Sequence, residues 1–167
     1  MFEIKPLSKD AISPALAKAE RYRLLNEPEQ AESICLDILA ADPENQPALV
    51  HLILATTEQF STAESGGVSN AQALLPRLHR EFDRAYYGGI ICERRARSLL
   101  AGGSLGAGFI AYDWLRQAME WYEKAQLTSR PGNEDAVLRW NTCARFLNRH
   151  PQFVRPPEER GEPLMLE

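Results

Sequence analysis

Apolar residues return every three or four positions along most of this chain, and runs that alternate every second position are scarce. Such spacing stripes one face of a helix, so the pattern predicts helix almost throughout. Breakers divide it. Asp42-Pro43 closes one periodic segment, STAESGGVSN at 61–70 reads as a polar loop, AGGSLGAG at 101–108 is a Gly-rich break, and RPGN at 130–133 is a turn signal. From His150 onward, HPQFVRPPEERGEP is too rich in proline for regular helix. Between the breaks lie about seven helices, roughly 12–26, 29–41, 46–60, 70–80, 83–100, 108–128 and 134–149. Pro76 falls inside the fourth and is tolerable there if it occupies the first turn, where a missing N–H does no harm.

The stretch AESICLDILAADPENQPALV, residues 31–50, holds one helix, a proline stop and the start of another. Ala31, Cys35, Ile38 and Pro43 stand at offsets of 0, 4, 7 and 12. Ala118, Tyr122 and Ala125 repeat the offsets 0, 4 and 7, with Pro131 at 13. A small residue at the first position lets two helices approach closely, and the residues four and seven further on share its face and fill the groove between them. The proline then turns the chain toward the next pair.

These positions resemble the tetratricopeptide repeat, a helix–turn–helix unit of about 34 residues. Ala19 and Tyr22 match the small and aromatic positions of the family's first helix, and AMEWYEKAQ at 118–126 is similar to its second. Ala15 and Lys18 stand where the family carries Trp and Leu. The two second helices start 87 residues apart (118 − 31), against about 68 for two whole repeats. The middle repeat therefore carries an excess of about 19 residues, expected in the 61–70 loop and the long helix at 83–100. The resemblance implies an all-α solenoid of antiparallel helix pairs, about three repeats wound as a right-handed superhelix. Its first helices would line a concave surface. EDAVLRWNTCARFLNRH would cap an apolar end that water would otherwise meet. Residues 1–150 then form one domain, and 151–167 a Pro-rich extended tail.

Composition narrows the job. With 167 residues, 44% apolar and 25% charged, the chain can bury a real core. A net charge of −4 gives no general affinity for nucleic acid. No signal-peptide run opens it and no stretch of about 18 apolar residues spans a membrane, so a cytoplasmic protein is expected. Cys35, Cys92 and Cys143 are far apart and odd in number, which suits small buried hydrophobes in a reducing compartment.

Candidate chemistry is thin. GGSLGAG at 102–108 lacks the Lys-Ser/Thr ending and the preceding strand of a phosphate loop. His79 and Asp83 would share a face at i, i+4 if one helix spans them, but a third metal ligand is missing. No nucleophile–base arrangement can be assembled, and Glu158-Glu159 sits in the tail, where no pocket would raise a carboxyl pKa. Neither an enzyme, nor a cofactor, nor a metal is expected. Charge is more informative. Residues 1–45 carry five Lys/Arg against nine Asp/Glu, whereas 77–97 carry six Arg (77, 80, 84, 94, 95 and 97) against Glu81, Asp83 and Glu93. Arginine's planar fork suits carboxylates, so a basic wall for an acidic peptide is one reading, and a solvated helix face with internal pairs is the other.

The expectation is a non-catalytic scaffold that binds a protein or peptide, acidic in character, on the concave surface. Helical-face geometry and the family resemblance together nominate Glu20, Arg23, His51, Thr57, Tyr87, Arg94, Arg95, Asn141 and Arg145. Trp140 is a weaker aromatic candidate for the same surface. The alternative keeps the fold and makes the chain a self-association module, or a fixed subunit of a larger assembly. Contact would then run through the convex face, an end, or the apolar LML of the tail.

Overall fold

The computed structural model describes residues 1–61 and 66–156. Glu158-Glu159, the LML segment and most of the expected tail lie outside the described residues, as does part of the 61–70 loop. Among the described residues the protein is all-α, with seven α-helices: α1 (Ile12–Leu24), α2 (Pro28–Ala41), α3 (Gln46–Glu58), α4 (Gly67–Leu74), α5 (Glu81–Gly102), α6 (Ala107–Leu127) and α7 (Asp135–Arg149).

The boundaries have local causes. Asn26 adopts a left-handed φ of 60°, which ends α1, and Pro28 opens α2 in its first turn. Asn45 caps α3 by accepting a hydrogen bond from the Ala48 N–H at 3.0 Å. Gly103 and Gly106, at φ of 63° and 78°, carry the chain from α5 into α6.

The fourth helix departs from expectation. It starts within the supposed loop and ends at Leu74 rather than running over 70–80. Pro76 lies in a 3₁₀ turn, Leu75–Arg77, after the helix and not in its first turn. Without an N–H it cannot extend the α-helical ladder, so it acts as the stop. The helix beyond begins at Glu81, which leaves His79 outside it. The expected tail also begins differently, since Pro151–Phe153 forms a 3₁₀ turn whose Phe153 ring packs over Gly108 of α6.

Each helix packs on its chain neighbour, as in a helical solenoid, and α3 also meets α1 and α5. The spacing that suggested a repeat marks the close crossings. Ala31, Cys35 and Ile38 are fully buried, and so are Ala118, Tyr122 and Ala125. The excess length of the middle repeat sits partly in α5 and α6, of 22 and 21 residues against 13 and 14 in α1 and α2.

The core falls into two clusters. One holds Cys35, Ile38, Leu49, Ile53, Leu78 and Ile91, and the other holds Ile90, Cys92, Leu115, Met119, Tyr122 and Cys143. Tyr87 packs against both. The three thiols are buried, and burial raises them to about 12 for Cys35, about 11 for Cys92 and about 12 for Cys143. They are packing groups rather than nucleophiles.

Candidate functional site

Charged groups of the odd-numbered helices meet in pairs that link α1 to α3, α3 to α5 and α5 to α7. Arg23 of α1 reaches Glu58 of α3, with Nη2 at 2.6 Å from Oε1 and Nε at 3.2 Å from each carboxylate oxygen. Its Nη1 lies 3.3 Å from His51 Nδ1. Arg94 of α5 meets the same carboxylate at 3.1 Å and donates to Thr57 Oγ1 at 3.1 Å. Glu58 thus sits between two guanidiniums from different helices.

Next to Arg94 on α5, a second carboxylate links that helix to α7. Glu93 is buried, and its Oε1 lies 2.8 Å from Arg97 Nη2 and 3.4 Å from Arg139 Nη1. Its Oε2 accepts a hydrogen bond from the Tyr122 hydroxyl at 2.8 Å. Burial and the Glu93 charge both push the Tyr122 phenol far up, so it remains a donor. Burial opposes the charge on Arg139, but Glu93 together with Tyr86 and Tyr122 outweighs it and raises the pKa.

Glu58, Glu93, Arg94, Arg97 and Arg139 line a trough of about 430 Å³ between α3, α5 and α7. Counting Arg23, four arginines face two carboxylates there, an excess of two positive charges (4 − 2). The trough therefore presents a basic floor whose side chains are already held in place by one another.

Of the nominated residues, Arg23, His51, Thr57 and Arg94 come together in this network. Burial, with help from Arg23, lowers the His51 pKa below its ordinary 6.5, and the nearby Glu20 partly offsets this. Glu20 itself is exposed. Arg95 turns away from Glu58, since neighbours in a helix point about 100° apart, and it makes no hydrogen bond or ion pair among the described residues. Tyr87 lies at the seam of the two cores, where burial and Asp83 raise it to about 12. Trp140 donates through Nε1 to Glu123 of α6 at 3.0 Å, away from the trough. Asn141 is half-buried on α7 without a side-chain partner among the described residues, and Arg145 lines a different cleft.

The basic wall expected over 77–97 divides in two. Arg77 donates to the Pro43 carbonyl at 2.8 Å, and Arg84 to those of Leu78 and His79 at 2.6 and 2.9 Å. Arg80 leans on Asp83 at 3.8 Å. These three secure the approach to α5, and only Arg94 and Arg97 reach the trough. The suspected His79–Asp83 pair does not form: His79 Nε2 lies 2.9 Å from Glu44, both on the surface.

Sequence reasoning passed over Glu58 and Arg139, and placed Arg97 in the basic wall without nominating it. One signal for Glu58 was available, because it stands seven residues after His51 and so on the same helical face. Among the described residues no group of three His, Cys, Asp or Glu is placed to hold a metal, and no helix is long and apolar enough to cross a membrane. Comparisons with protein-family models, curated proteins and solved structures return no match.

Proposed function

We propose that this chain is a non-catalytic, tetratricopeptide-like scaffold that holds an acidic peptide or protein segment along its odd-numbered helices. In this reading α1, α3, α5 and α7 are the first helices of successive repeats, and the surface they share is the concave one of a right-handed superhelix. The observation that carries it is the trough, where four arginines from three helices converge on two carboxylates. A network with a surplus of cations is already oriented for further carboxylates, so binding orders few side chains. The internal glutamates keep the arginines from repelling one another before a partner arrives.

The test uses a panel of fluorescent acidic decapeptides titrated by polarisation at low and moderate salt. Selected acidic peptides should bind, weaken as salt rises, and lose roughly tenfold or more in affinity to Arg97→Glu or Arg139→Glu. Arg95→Glu, off the trough, should change little. Absence of binding across the panel, or equal loss from all three variants, would count against the trough. Self-association is the competing reading, and light scattering over a range of concentrations decides it: a mass that rises with concentration favours assembly, and a constant 18.8 kDa leaves the surface free for a partner.

A further inference from the structure

A second cavity lies on the far side of Arg97, between α5 and α7, with α6 as its floor. Its volume is about 280 Å³. Ala96 and Leu100 of α5, Leu115 of α6, and Cys143 and Phe146 of α7 make it mostly apolar, and Glu93, whose charge is met by Arg97 and Arg139, also lines it. Its rim is basic, with Arg145 and Arg149 one turn apart on α7 and Arg97 opposite. Arg97 is engaged with Glu93, but Arg145 and Arg149 have neither hydrogen bond nor ion pair among the described residues.

This combination defines a ligand. An apolar floor favours a hydrocarbon body, and two unpaired guanidiniums at one edge favour an anionic head beside it. The size limits the body, because the cavity of about 280 Å³ falls just below the range of about 300–1,000 Å³ typical of ligand pockets. The buried Cys143 thiol, raised to about 12, offers no nucleophile for covalent capture. We infer that the α5–α7 cleft is a binding site for a small carboxylic acid with an apolar chain, its carboxylate held by Arg145 and Arg149 and its chain laid over Leu100, Leu115 and Phe146. The site borders the acidic-peptide trough at Glu93 and Arg97, but Arg145 and Arg149 lie on a different stretch of α7 and Arg94 takes no part in it.

Octanoate is a suitable probe, titrated into the full-length protein and followed by ¹H–¹³C methyl NMR and calorimetry. One saturable site is expected, with shifts concentrated at Leu100 and Leu115. Acetate, which lacks the chain, and 1-octanol, which lacks the charge, should each bind at least about tenfold more weakly. Arg145→Ala with Arg149→Ala should weaken octanoate by roughly tenfold. Thr142→Trp, an exposed position at the mouth, should block it without loss of the fold, checked by an unchanged melting temperature. Arg94→Glu should leave octanoate binding intact while it weakens acidic peptides, which separates this site from the trough. No saturable binding, equal binding of 1-octanol, shifts away from the cleft, or insensitivity to Thr142→Trp would each overturn the assignment.

Discussion

Glu93 shows how much one buried carboxylate can organise. With 2% of its side chain exposed, it is tied to α6 through Tyr122 and to α7 through Arg139. Removing it would leave Arg139 half-buried without its counter-charge. Glu93→Ala should therefore cost about 3–5 kcal/mol, as when one partner of a buried pair is deleted. Tyr122→Phe, which loses only a hydrogen bond to a charged group, should cost about 1.5–3 kcal/mol. Urea unfolding of the two variants checks the order, and an equal cost would show that the ion pairs add little beyond the phenol. His51 gives the pH dependence. Its pKa is held below 6.5 by burial and Arg23, so the unfolded chain takes up a proton before the native one as pH falls. Stability should decline below about pH 6.5 and level off once native His51 also protonates. His51→Gln, which can still accept from Arg23, should lack this component, so that the urea midpoints of wild type and variant diverge between pH 7.5 and 5. Parallel curves would remove His51 from the account. At this scale the sequence was readable in part. Arg23, His51, Thr57 and Arg94 follow from helical faces together with the repeat resemblance, but Glu58 went unnoticed and Glu93 counted only as an offset to positive charge. Which arginine a glutamate joins depends on the approach of separate helices, and no spacing within one helix encodes that.

The α5–α6 crossing turns on two adjacent glycines that the sequence presents as equivalent. A Cβ on Gly89 would lie 2.4 Å from the Tyr122 ring, which is fully buried and fixed by Glu93. On Gly88 it would lie 3.0 Å from the ring of Trp121, which is only half-buried and carries Lys124 over its face at 4.7 Å. Alanine in a helix interior gains up to about 1 kcal/mol over glycine, which a tight contact must outweigh. At Gly89 overpacking should win by about 1–3 kcal/mol, because neither ring nor backbone can yield. At Gly88 the tryptophan can shift, so Gly88→Ala should fall within about 1 kcal/mol of wild type. Thermal melts of the two variants check this, and a more damaging Gly88→Ala would mean that Trp121 is the fixed ring. Helix existence was legible here, since the apolar period of FDRAYYGGIICERRARSLL survives two glycines. Which glycine faces the tyrosine was not, because that depends on the rotation of α6 against α5. The short α4 was misjudged for a related reason. Its periodic stretch is only eight residues long, too few for pattern to fix a start before the proline stop.

Across the whole molecule, the two core clusters meet at a narrow seam where Ile91 of α5 enters the first cluster and Tyr87 touches both. An array stacked neighbour on neighbour unfolds as one unit only while such seams hold. Ile91 is fully buried, so Ile91→Ala should leave a cavity there and cost about 2–5 kcal/mol. The loss should fall on coupling as well as on stability. All three tryptophans, Trp114, Trp121 and Trp140, lie in α6 and α7, so fluorescence reports the second cluster while circular dichroism reports every helix. In wild type the two urea transitions should coincide. In Ile91→Ala the dichroism should begin to fall first, as α1–α4 melt away from the longer α5–α6 pair, and the tryptophan signal should follow at higher urea. Coincident transitions at a lower midpoint would mean that the halves are joined elsewhere. The Arg23–Glu58–Arg94 bridge spans the same seam, from α1 across α3 to α5. An acidic partner seated in the trough would add carboxylates to both sides of it. Saturating peptide should then draw the separated transitions of Ile91→Ala back together, which makes coupling of the two halves a readout of occupancy as well as of packing.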